Sequence, residues 1–143
     1  MLAVLFALPA QAEDEIGIFE TVYRSDASFA ETAAAIEAAA AGSSLKLHGL
    51  LDVRVPDDAQ QATVFVFTSP RYIDAARAEE PRTVSAQVLR VAVFTWGDEQ
   101  KTVVNMANPV AHAMVYYADS PNYDKLVSAA RSAADELRGL VSA

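Results

Sequence analysis

The sequence contains no cysteine. This absence excludes disulfide bonds, cysteine nucleophiles, thiolate metal sites and the covalent attachment of c-type haem. Common catalytic signatures are missing as well: the chain has no nucleophile elbow, no phosphate-binding loop, no dinucleotide-binding glycine motif and no zinc-protease motif. An enzymatic function therefore has little support in the sequence, and no residue is predicted to be catalytic.

Basic residues and long apolar runs are both scarce. The 143-residue chain carries 11 Lys and Arg against 19 Asp and Glu, which gives a net charge of −8. An acidic surface disfavours nucleic acid and anionic membranes, because both are bound through positive charge. No apolar stretch is long enough to span a bilayer. We therefore expect partners among small molecules and proteins.

The first twelve residues, MLAVLFALPAQA, have the features of the end of a secretory signal peptide. An apolar run at Leu2–Leu8 is broken by Pro9, and the tripeptide AQA that follows fits a small-x-small cleavage site. The basic residue that normally precedes the apolar run is absent, which indicates a signal truncated at its N-terminus; a short hydrophobic strand is the alternative. We predict a signal peptide at residues 1–12, a single domain at residues 13–143, and export to the periplasm or the extracellular space.

Apolar periodicity divides the remaining chain into strands and helices. Strands are predicted at Ile16–Tyr23, Leu45–Val55, Thr63–Thr68, Val88–Trp96 and Lys101–Met106. Two longer stretches, residues 28–42 and 121–141, each carry one apolar helical face. Ser28 and Glu31 fit a capping box at the start of the first. The predicted fold class is therefore α+β, with two layers: about five mostly antiparallel strands and two main helices packed on one face.

The second predicted strand shows a regular alternation. It places Leu45, Leu47, Leu51 and Val53 on one side and Lys46, His48 and Asp52 on the other. We therefore expect His48 to face solvent.

The densest group of polar side chains beside predicted core follows the fifth strand. Pro109 must end that strand or lie at a sheet edge, because it cannot donate to a central ladder. Asn105, Asn108 and His112 surround it and are candidate ligand-binding residues. Ordinary turn chemistry, with Asn108 as a helix N-cap, is the alternative.

A metal or haem site is a second hypothesis for the same stretch. His112 has Met106 and Met114 nearby in sequence, and imidazole with thioether ligands suits copper or non-covalent haem. His48 could supply a further imidazole. The alternative is that both methionines fill the core and His112 is a capping or surface residue.

The connection between the third and fourth strands, residues 70–86, is the longest between strands and is a candidate site wall. Arg71 and Tyr72 at its start are candidate ligand-binding residues. Its arginines, together with Arg90, could hold an anion. The alternative is that they pair with local acids, namely Asp74, Glu79 and Glu80.

The chain resembles the bacterial family called domain of unknown function 302. The matching features begin with the strand TVFVFT followed by SPR, and with a Glu80-Pro81 segment before QVLRVAVFTW. The strand TVVNMANP and the closing helix NYDKLVSAARSAADELRGLV complete them. A Leu-Pro pair common before the fourth strand is replaced here by Ala86-Gln87. The resemblance implies a small α+β domain that tends to self-associate and has no settled activity. It supplies no catalytic residues.

Three functions follow as expectations. The first is an exported small-ligand-binding or accessory protein. The second is a haem or copper handler that uses His112. The third is a homodimeric interaction module without a ligand.

Overall fold

The structure, a computed structural model, describes residues 16–53, 61–97 and 101–142. The predicted signal peptide lies outside these residues, as does most of the turn expected between the fourth and fifth strands. Among the described residues, no helix is both long and apolar enough to cross a membrane.

Within the described residues, five strands form one antiparallel sheet. They are β1 (Phe19–Ser25), β2 (Lys46–Asp52), β3 (Ala62–Thr68), β4 (Leu89–Trp96) and β5 (Lys101–Ala107). The spatial order is β1-β5-β4-β3-β2, and every neighbouring pair is antiparallel. This arrangement confirms the predicted α+β class with five strands. It also makes β1 and β2 the edge strands.

Four α-helices are interspersed with the strands along the described parts of the chain. They are α1 (Phe29–Ala41), α2 (Pro70–Ala76), α3 (Pro109–Tyr116) and α4 (Tyr123–Val141), with a 3-10 helix at Pro81–Gln87. The capping box of Ser28 and Glu31 forms as predicted: the Ser28 hydroxyl accepts from the Glu31 amide, and the Glu31 carboxylate accepts from the Ser28 amide at 2.9 Å. Proline stands in the first turn of both α2 and α3, where its missing N–H costs nothing.

The core lies between α4 and the sheet. Helix α4 contacts α1, α2 and α3, and it buries Leu126, Ala130, Ala133 and Leu137. The alanines let neighbouring helices approach closely. From the sheet, β3, β4 and β5 contribute every second residue to the same core.

The alternation predicted for the second strand fails at its midpoint. The register between β2 and β3 shifts between Leu47 and Gly49, so Leu51 pairs with Val64 and not with a core-facing residue. A bulge adds one residue and turns the following side chains to the opposite face. Leu51 therefore does not share the side of Leu45 and Leu47, and it is exposed.

Candidate ligand-binding face of the sheet

One face of the sheet has no helix over it in the described parts of the chain. The core cluster that joins all four helices includes Phe65, Val91 and Val104, whereas their strand neighbours lie outside it. Those neighbours form what we call the open face. Its residues on the three inner strands are Ala62, Val64, Val66, Arg90, Ala92, Phe94, Trp96, Lys101, Val103, Asn105 and Ala107.

The open face is largely apolar and includes a shallow cavity of about 330 Å³. The cavity is lined by Phe19, Val64, Arg90, Ala92, Asn105, Met106 and Ala107. Val64, Ala92 and Asn105 lie side by side on three adjacent strands. Ala92 and Ala107 leave room above the sheet because their side chains are short. Phe19 rises beside them from the edge strand with 67% of its surface exposed.

Asn105 places an unpaired amide in this cavity. The residue is half-buried, and its Oδ1 atom is shielded from solvent without a hydrogen-bond partner. No described residue bonds to its amide nitrogen. Buried polar atoms in folded proteins almost always have a partner, and leaving one unpaired costs roughly 1–3 kcal/mol. The Oδ1 atom is closed to solvent and hence to a ligand, whereas Nδ2 is neither shielded nor bonded to a described residue. The N–H donors of Nδ2 are therefore the part of the amide that a molecule in the cavity can contact.

Arg90 is the second polar group of the cavity. It is exposed, and it forms no ion pair or hydrogen bond with the described residues. Several other arginines have acidic partners: Arg77 pairs with Asp74, Arg82 pairs with Glu80, and Arg71 lies 3.6 Å from Glu136. The predicted pairing with local acids is thus confirmed for Arg77 and Arg82, while Arg90 keeps its guanidinium free for another anion.

Asn108 serves the backbone, in contrast to Asn105. Its Oδ1 accepts from the Val110 amide at 3.0 Å, which makes it the N-cap of α3. Its Nδ2 donates to the Gly17 carbonyl at 3.0 Å and ties the segment before β1 to the end of β5. Both ends of this amide are used, so the structure gives Asn108 the turn role that was the alternative to ligand binding.

His112 lies on α3, beside a second and larger apolar groove. The groove has a volume of about 690 Å³ and is lined by Ile16, Ile18, Ala111, His112, Met114, Val115 and Tyr116. Burial lowers the pKa of His112 below its usual range, and the nearby positive charge of Arg90 lowers it further. The imidazole therefore lies within electrostatic range of the open-face cavity, although it does not line that cavity.

The two candidates in the connection after β3 lie on the helix layer. Arg71 has 84% of its side chain exposed and faces Glu136 of α4. Tyr72 is 1% exposed and packs edge-on against Tyr117, with ring centroids 6.5 Å apart. Since Asn105 faces away from the helices, neither residue shares its cavity.

The residues of the metal hypothesis are dispersed. Met106 is fully buried and belongs to the core cluster, whereas Met114 is 37% exposed and shares the α3 groove with His112. His48 lies on β2, where its Nε2 is 2.8 Å from the Thr68 hydroxyl. Met106 lies on β5, which is three strand spacings, or about 14 Å, away from β2. No cluster of three His, Asp or Glu side chains suited to a metal occurs among the described residues.

Comparison with known proteins shows the fold of this chain. No family model and no curated protein matches the sequence. In structure, the chain is similar to an uncharacterized conserved protein of domain of unknown function 302 from Bacillus stearothermophilus. The two superpose with a TM-score of 0.69 at 13% identity, over 87% of this chain and 96% of that one. The chain thus has the fold of a domain of unknown function 302 protein, as the sequence resemblance predicted.

Proposed function

We propose that this protein is an exported small-ligand-binding or accessory domain whose ligand occupies the cavity on the open face. The observation that carries this proposal is the unpaired amide of Asn105, set in an apolar cavity beside the unpaired Arg90. Small-molecule sites are typically concave and apolar with a few convergent polar groups. The cavity meets this description on a face that the helices leave accessible.

Ligand retention tests the proposal. Protein purified from its own host is analysed by native mass spectrometry, as wild type and as Ala92→Leu, which fills the cavity from the floor. The matched control is Ala62→Leu, since Ala62 lies on the same face but outside the cavity lining. We expect a bound mass in wild type and Ala62→Leu and its loss in Ala92→Leu. Absence of any ligand under several growth conditions would count against the proposal.

Export is the second part of the proposal and rests on the segment MLAVLFALPAQA. N-terminal sequencing of the protein from its host, after cell fractionation, tests it. A mature chain that begins near Glu13 outside the cytoplasm is expected. A cytoplasmic chain that keeps residues 1–12 would contradict it.

A homodimeric interaction module is a second candidate, favoured by the exposure of large apolar side chains on the open face. Phe19, Leu51 and Trp96 are 67%, 59% and 61% exposed. Apolar surface of this kind marks protein interfaces as well as ligand sites. Light scattering over a range of protein concentrations separates the two functions: a monomer at every concentration removes the dimer, and a dimer that Leu51→Glu dissociates supports it.

A further inference from the structure

The open face differs in charge from the rest of the protein. Its described strand positions include three cationic side chains without an ion-pair partner among the described residues, Arg24, Lys46 and Arg90, and no acidic one. A fourth cation of this face, Lys101, forms an ion pair with Asp26 at 2.9 Å. The acids of the edge strands point to the helix side: Glu20 forms an ion pair with Arg138, and Asp52 stands opposite the buried Thr63 in the sheet. A chain of net charge −8 thus presents a cationic apolar face, which attracts an anionic apolar partner.

A second copy of the chain, the occupant in the homodimer candidate, would leave the cations of this face without acidic partners. An isologous interface sets one patch against itself, and the described strand positions of this patch include no acidic residue. Arg90 would then lose its water without gaining a negative partner, which is costly for a charge. Charge complementarity therefore points to a different molecule as the occupant.

The two polar groups of the cavity specify the chemistry of that molecule. Arg90 offers a planar fork of N–H donors, which matches a carboxylate. Asn105 offers the N–H donors of its accessible Nδ2. Arg90 lies opposite Ala107 on the neighbouring strand, so Asn105 is its diagonal neighbour, with a backbone separation of roughly 7–8 Å that a long arginine side chain can reach across.

We propose that the ligand is an amphipathic carboxylate with an acceptor oxygen two to four bonds from its carboxyl carbon. The Arg90 guanidinium donates to the carboxylate, and Asn105 Nδ2 donates to the ligand's acceptor oxygen. The apolar body lies over Ala92 and Val64 against Phe19. N-acyl amino acids and hydroxy acids have this arrangement. This assignment rests on the proposed binding function and specifies its ligand class.

Calorimetric titration of the mature protein with matched probes tests the assignment. The probes are N-octanoylglycine, its methyl ester, octanoate, and octyl phosphate as a different anion. We expect N-octanoylglycine to bind most tightly and octanoate more weakly, because octanoate has no second acceptor for Asn105 Nδ2. The ester should bind more weakly by roughly tenfold or more, the size of one charge-assisted hydrogen bond.

Variants of the two cationic residues separate a specific site from general attraction. Arg90→Gln should weaken N-octanoylglycine by roughly tenfold or more without affecting the ester, and Arg90→Lys should restore only part of the affinity because it lacks the fork. Arg24→Gln is the matched control, since Arg24 is on the same face outside the cavity. It should change the affinity by less than about twofold.

The outcomes that overturn the inference are distinct from those that overturn the binding function. The carboxylate assignment is refuted if acid and ester bind equally, if Arg90→Gln has no effect, or if octyl phosphate binds more tightly. In each of these cases the binding function still stands, provided that host-purified protein carries a ligand that Ala92→Leu loses. Failure of all four probes also refutes the assignment. The binding function itself fails only if host-purified protein carries no ligand.

Discussion

Two asparagines three residues apart should respond to substitution with opposite signs. Asn105 leaves its Oδ1 buried without a partner, so Asn105→Val removes an uncompensated polar atom and adds a residue that favours strands. Asn108 uses both ends of its amide, so Asn108→Ala removes a helix cap and a tie to Gly17. We therefore expect the first variant to be more stable than wild type and the second to be less stable.

The magnitudes follow from these contacts. A buried unpaired acceptor costs roughly 1–3 kcal/mol; because Asn105 is only half-buried, we expect Asn105→Val to gain about 1–2 kcal/mol, within that range. Loss of an N-cap costs about 0.5–2 kcal/mol and loss of the bond to the Gly17 carbonyl about 0.5–1.5 kcal/mol. Asn108→Ala should therefore lose about 1–3 kcal/mol.

Urea unfolding followed by the fluorescence of Trp96, the single tryptophan, and by circular dichroism measures both changes. The protein must first be freed of ligand, because a bound ligand stabilises the wild type and would mask the gain. The midpoints should move in opposite directions with an unchanged slope. If ligand-free Asn105→Val is no more stable than wild type, Asn105 is not an uncompensated polar group and the argument for its role in binding fails.

Three further predictions concern titration and the core. Burial lowers the pKa of His112, and the charge of Arg90 lowers it further, so the unfolded chain binds more protons than the folded one. The free energy of unfolding should therefore fall as pH drops below about 6.5, and His112→Gln should reduce this fall in a series of thermal melts at different pH. The hydrogen bond from Arg138 is the main cause of the lowered pKa of Glu20, so Glu20→Gln should cost about 1 kcal/mol at neutral pH, with the difference vanishing as pH falls through the folded-state pKa of Glu20, below 4.5. Tyr72→Phe should leave stability within about 1 kcal/mol of wild type in urea unfolding, because the buried Tyr72 hydroxyl makes no hydrogen bond of normal geometry, although the Tyr117 side chain lies beside it. A large loss would show that the two hydroxyls are bonded.

Much of the fold could be predicted because local signals agreed with it. The continuous apolar run at Thr63–Thr68 predicted an inner strand, and β3 lies between β4 and β2. Ser28 and Glu31 predicted the start of α1, and Pro109 predicted the end of β5. The bulge after Leu47 could not be predicted, since a regular alternation carries no mark of an extra residue.

The candidate site was predicted only in part. Asn105 was identified because it stands beside Pro109, but its cavity partners Phe19 and Val64 are far away in sequence and were not. In a strand that is apolar on both faces, the sequence does not indicate which face the helices cover. Arg90 was noticed within an apolar strand, and only the register of β4 places it on the open face beside Asn105. Tyr72 was a site candidate from its place in a long connection, whereas the fold places it in the core.

The central claim, that a ligand binds the open face at Asn105 and Arg90, is tested most directly by mapping where a ligand touches the protein. Backbone amide NMR shifts are recorded as N-octanoylglycine is added to isotope-labelled mature protein. We predict that the largest shifts occur at Arg90, Ala92 and Asn105 and at neighbouring residues of β3, β4 and β5. Shifts confined to the α3 groove around His112 and Val115 would contradict the claim that the ligand binds the open face. No saturable shifts at all would contradict the assignment of an amphipathic carboxylate to this face.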